Sequence, residues 1–185
     1  NLANRGALQS TIIVFTNFYN SSNVGHYSLT HRILKTPISF IGNSISQIFR
    51  QKASVEIAEK GNCKKLYIYT FISLFVIGII PFSILFIWSR EIFIIFLGES
   101  WAKAGDYAKL LTPMLFAQFC IAPLSSMFLL DNKQKLDLIW QLMALIVSLV
   151  VLIGCKYLYN DIEISIFYYS ICLLYTSDAA DDSLR

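Results

Sequence analysis

Tyr27–Phe49 reads YSLTHRILKTPISFIGNSISQIF, a stretch too polar for an ordinary membrane span and too apolar for a surface helix. At about 100° per residue it sorts into two faces. Ser28, Arg32, Thr36, Ser39, Asn43, Ser46 and Gln47 fall within one arc about 100° wide, and Leu34, Ile38, Ile41, Ile45 and Ile48 lie opposite. Some 20 helical residues rise roughly 30 Å, the thickness of a bilayer's hydrocarbon core. Lipid cannot satisfy a polar stripe, so a spanning helix of this kind must turn it toward protein or a water-filled cavity. The stretch therefore predicts the wall of a path.

The rest of the chain agrees with a membrane setting. Of its 185 residues 56% are hydrophobic and 15% charged, against about 25% charged in a soluble domain, and the mean hydropathy is +0.57. This composition points to an integral membrane protein and away from nucleic-acid binding. The formal charge is +3; the final stretch, with Asp178, Asp181 and Asp182 against Arg185, contributes −2, so the main body carries +5. Cys63, Cys120, Cys155 and Cys172 are widely spaced without a CxxC pair, which argues against a zinc site or a disulfide frame. No metal or other cofactor is expected.

Both ends read as cut. The chain opens on Asn1 close to a semi-polar helix (Ala7 to Tyr19, with Gln9, Ser10, Thr11, Thr16 and Asn17), and NSSNVG at 20–25 reads as a turn. After the two-faced helix, residues 51–65 read as a basic aqueous loop. Leu66 to Ser89 is the plainest span, uncharged throughout, with Gly78 and Pro81 inside it. Beyond Arg90, EIFIIFLG is too short to cross and, flanked by Trp88 and Trp101, is expected along the interface. Further spans are read at about Ala104–Leu130 and Leu138–Cys155, with a truncated one at Ile162–Tyr175. The fold class is thus all-α, a polytopic transmembrane helix bundle of about six helices. Residues 1–175 form a partial bundle, and 176–185 (TSDAADDSLR) form a polar tail resembling translated sequencing-adapter read-through.

Alternating spans put Arg5, Arg50, Lys52, Lys60, Lys64, Lys65, Lys133 and Lys135 on one side and Arg90, Lys103, Lys109 and Lys156 on the other. The basic-rich side is expected in the cytoplasm.

Two long blocks carry a family resemblance: VGHYSLTHRILKTPISFIGNSISQIFRQKAS (24–54) and FLGESWAKAGDYAKLLTPMLFAQFCIAPLSSMFLLDNKQKLDLIWQ (96–141). They resemble the polysaccharide export and O-antigen flippase proteins of the MATE-like superfamily. The resemblance implies one lobe, the second of two six-helix bundles around a central cavity, with the N-terminal lobe missing here. It implies a multi-pass protein of the bacterial inner membrane that moves a lipid-linked oligosaccharide between leaflets by alternating access.

A lipid-linked sugar joins a polar glycan and an anionic pyrophosphate to an apolar tail, so its path needs a polar, preferably cationic lining open sideways to lipid. Arg32, helped by Lys35, is the candidate phosphate contact, because a guanidinium pairs two phosphate oxygens at once. Ser39, Asn43, Gln47, Gln9 and Asn17 are the candidate lining of the sugar path, and Pro37 is a candidate hinge. Simpler readings stand beside these. Arg32 and Lys35 also suit snorkelling anchors, Asn43, Ser46 and Gln47 suit hydrogen bonds between helices, and proline in a span is commonly a tolerated kink. His31 lies off the stripe and suits packing between helices. Asp106 and Lys109 read as a pair one turn apart.

A multidrug or cation antiporter of the same superfamily is the alternative, but it calls for acidic residues deep in the bundle, and these spans hold almost none. A membrane enzyme of polysaccharide assembly would carry acidic or metal-binding motifs in a loop, and residues 51–65 are basic without such a motif. The chain is expected not to be an enzyme and, lacking a nucleotide-binding motif, not to be driven directly by ATP.

Overall fold

The computed structural model describes residues 21–124, 143, 146, 147, 149–151, 154 and 163–171. Three long helices dominate: α1 (Ser21–Lys60), α2 (Lys64–Leu97) and α3 (Ala102–Ile121), with a single 3₁₀ turn at Glu99–Trp101 between α2 and α3. All secondary structure among the described residues is helical. The start of α1 meets the turn that leads into α3, so the three helices run up, down and up.

α3 is the centre. Its Ala104, Tyr107, Ala108, Leu111, Met114 and Leu115 are at most 2% exposed, and it packs against both α1 and α2. Tyr27 and Leu34 of α1, Phe93 of α2 and Ile166 and Tyr169 of the helical residues 163–171 close around it. A second cluster at the other end joins Phe49 and Ala53 of α1, Cys63 of the turn, Leu74 of α2 and Phe119 and Cys120 of α3. Close approach rests on small residues: a Cβ on Gly78 would meet the rings of Phe116 and Phe119 at 3.0 Å.

α2 is built the other way. Only 11% of its most apolar stretch is buried, and it is the one helix among the described residues long and apolar enough to cross a membrane. Ile72, Val76, Ile77, Ile79, Ile80 and Ile87 are each more than 40% exposed. Such an apolar surface around a helix is an aggregation hazard in water and an ordinary surface in lipid. The other crossings expected from the sequence do not pass the same test: α1 and α3 are long enough but too polar, and the remaining segments lie wholly or partly outside the described residues.

The local readings change in three places. Residues 21–25 are helical, not a turn: Val24 is 6% exposed in the core, and that burial extends α1 to Ser21. Residues 51–60 are helix, not loop, because the helix-forming run KASVEIAEK continues the ladder and Ala53 is fully buried. The turn is therefore short, Gly61–Cys63, closed by the Gly61 N–H donating to the Ile57 carbonyl at 2.9 Å. Third, α2 does not stop at Ser89. Its backbone leaves helical geometry at Trp88 (φ −111°, ψ 19°) and resumes to Leu97. The break falls at the end of the apolar run read as a span, and the helix then continues through most of the segment expected along the interface.

Gly98 then turns the chain with φ +94°, a conformation that a Cβ disfavours. Asp106 pairs with Arg90 of α2, Nη1 to Oδ2 3.3 Å, in place of the expected Lys109. The Lys109 ammonium sits over the Phe86 ring, 5.6 Å from its centre.

Candidate functional site

The rotation of α1 is set by what it buries. Tyr27, Thr30, Leu34, Phe49 and Ala53 are in the core, and Ile38 and Ile45 pack partly against it. Thr30 fixes the register, since its hydroxyl lies 2.9 Å from the Ala104 carbonyl and 2.8 Å from its own helix at His26. With that face docked, Arg32, Thr36, Ser39, Asn43 and Gln47 are exposed along the side turned away from α3. They span about 22 Å along the helix axis.

The stripe divides chemically. Thr36 donates its hydroxyl proton to the Arg32 carbonyl (2.7 Å) and Ser39 to the Thr36 carbonyl (2.9 Å), so these hydroxyls are satisfied within the helix and keep only lone pairs for a visitor. Arg32, Asn43 and Gln47 make no hydrogen bond among the described residues. Their guanidinium and amide donors are the groups free to engage something beyond the helix. Lys35 is half-buried at the stripe's edge, and His31 stacks on Tyr27 at 5.9 Å with the ring planes 26° apart. Pro37 lies inside α1, which runs unbroken from Ser21 to Lys60. Gln9 and Asn17 lie outside the described residues.

The two ends differ in charge. In the sequence, Arg50, Lys52, Lys60, Lys64 and Lys65 with Glu56 and Glu59 flank the Gly61–Cys63 turn, and Arg90, Glu91, Glu99, Lys103 and Asp106 flank the turn at the other end. Cys63, 2% exposed in the first group, has its thiol pushed above the ordinary range by burial and secondly by Glu56. Two open concavities lie elsewhere among the described residues: an apolar groove of about 250 Å³ between α2 and α3, lined by Phe82, Phe86, Thr112, Pro113 and Phe116 among others, and one of about 360 Å³ lined by Leu110, Glu163, Ile164, Phe167 and Tyr168. The lining of the groove between α2 and α3 is mostly apolar.

Sequence reasoning missed the corner where α1 begins. His26 lies 3.1 Å from the Ser100 carbonyl and 5.1 Å, ring centre to ring centre, from Trp101. The partners are 74 residues apart, and no local pattern announces such a contact.

No curated protein and no solved structure matches the chain. A family model described as polysaccharide biosynthesis protein matches residues 1–106, which include α1, α2 and the start of α3. The chain belongs to this polysaccharide biosynthesis protein family.

Proposed function

We propose that the chain is one wall of a flippase that carries a lipid-linked oligosaccharide across the bacterial inner membrane, and that it performs no chemical reaction of its own. One observation carries this reading: α1 is locked by its apolar face and leaves exposed a polar stripe of about 22 Å (about 1.5 Å per residue), on which Arg32, Asn43 and Gln47 make no hydrogen bond among the described residues, beside a helix suited to lipid. A substrate with a polar head and an apolar tail needs these two surfaces side by side. Arg32 would hold the phosphate as a two-pronged donor, with Lys35 adding charge and Ser39, Asn43 and Gln47 meeting sugar hydroxyls. A second lobe of similar design would close the path.

The antiporter alternative draws less support. α1 has no acidic residue before Glu56, and the acids on the described helices, Glu56, Glu59, Glu91, Glu99, Asp106 and Glu163, are all exposed or half-exposed near the ends of the described helical stretches.

The test is complementation of a strain lacking its exporter with the full-length gene carrying Arg32→Ala or Arg32→Lys. Loss of surface polysaccharide in both, at unchanged protein level, is the expected result, since lysine keeps the charge and loses the fork. Wild-type behaviour of both makes Arg32 an interfacial anchor and removes the phosphate site from α1.

A further inference from the structure

Both ring nitrogens of His26 face carbonyl oxygens, Nδ1 at 2.7 Å from Ser22 and Nε2 at 3.1 Å from Ser100. A carbonyl oxygen only accepts. A neutral imidazole has one N–H, so it satisfies one of the two, and only the imidazolium donates to both. We infer that His26 is a proton-binding site that clasps the first turn of α1 to the turn between α2 and α3, closed when the ring is doubly protonated.

The surroundings fit a reversible clasp. His26 is part-exposed, so its proton exchanges with solvent. The Trp101 ring stands beside it with the planes 69° apart, an arrangement that also suits a cationic ring against an indole. Opposing the charge are the N-termini of α1 and α3, whose dipoles disfavour a cation. Glu99 and Lys103 flank Ser100 with opposite charges, and Arg90 and Asp106 neutralise each other. On α1 itself His31 and Arg32 follow, and the helical residues packed near Tyr27 carry Glu163 and Tyr169. Proton loss leaves the shorter bond inside α1, Nδ1–H to Ser22, and turns the Nε2 lone pair onto the Ser100 oxygen. The bond that opens is the one between elements.

This clasp does not depend on the transport reading. It joins the start of the helix carrying the polar stripe to the break-and-turn corner of its neighbours, where a change in proton occupancy would alter how firmly α1 is held.

Hydrogen exchange on the full chain in lipid nanodiscs, at about pH 5.5 and about pH 8 and corrected for intrinsic rates, tests it. Residues 21–30 and 98–104 should be about tenfold better protected at the lower pH, the scale of one hydrogen bond to a charged group. His26→Gln, which presents donors from a single nitrogen, should remove the difference. No pH step in the wild type, or the same step in His26→Gln, overturns the clasp. Should the variant fail to fold, ¹⁵N-histidine spectra of His31→Gln decide: the chain has two histidines, so the remaining signal is that of His26, and it must show both ring nitrogens protonated at about pH 5.5. If it does not, His26 is not the imidazolium that the geometry requires.

Discussion

At Gly105 a missing methyl group sets how closely two helices approach. A Cβ there would stand 2.5 Å from the Arg90 Cα and 2.9 Å from the Ser89 carbonyl, both backbone atoms that cannot swing aside. Gly105→Ala should therefore destabilise the fold by about 1–3 kcal/mol, as overpacking does. Gly25→Ala is the control: it is also helical, but its Cβ would meet nothing within 4 Å. That variant should be neutral or more stable by about 0.5–1 kcal/mol from helix propensity. Thermal unfolding of both in one detergent checks the pair, and equal shifts would contradict the crossing. Cys63 gives a second test at this scale. Its raised pKa lowers the thiolate fraction at any given pH, so maleimide labelling should be slower than for a free thiol and its pH profile displaced upward. Glu56→Gln should bring part of the profile back down, because it removes the smaller of the two causes, while burial remains. Rates measured across pH on a chain with its other cysteines changed to serine would show it.

At the level of elements, α1 illustrates where local reasoning succeeds and where it stops. Its two faces are legible because residues about 100° apart in rotation sort by chemistry before any partner is known. Its ends are not, because Ser21, Ser22, Asn23 and Gly25 look like turn residues, yet Val24 is held in the core. The contact that settles this end, Thr30 to Ala104, is invisible to a local window. Thr30→Val keeps shape and removes that bond, so it should cost about 1 kcal/mol, read as a lower unfolding temperature. Arg90→Ala should cost less than about 1 kcal/mol, since the Arg90–Asp106 pair is 58% and 37% exposed at the side chains and open to salt. A larger loss for Arg90 than for Thr30 would mean that the corner is held by charge and not by the buried hydroxyl.

For the whole molecule, the helices alternate in direction, so the Gly61–Cys63 and Gly98–Trp101 turns lie at opposite ends. In a membrane these ends should face opposite compartments. Asn62→Cys should react with an impermeant maleimide only from the basic-rich side and Glu99→Cys only from the other, in inverted versus right-side-out vesicles. Labelling of both from one side would show that α2 does not cross.

The sequence alone determined the chemistry of the surfaces. Apolar Leu66–Ser89, the polar stripe from Arg32 to Gln47 and the basic cluster around Lys64 follow from side-chain type at helical spacing, a property each segment carries by itself. Tertiary structure decided the relations between them. It made α3 the buried centre, set the rotation that leaves the stripe exposed, placed Ser89 and Arg90, just past the break at Trp88, against Gly105, and brought His26 to Ser100. These depend on residues distant in the chain meeting at particular distances, and no single segment encodes the shape of its neighbour.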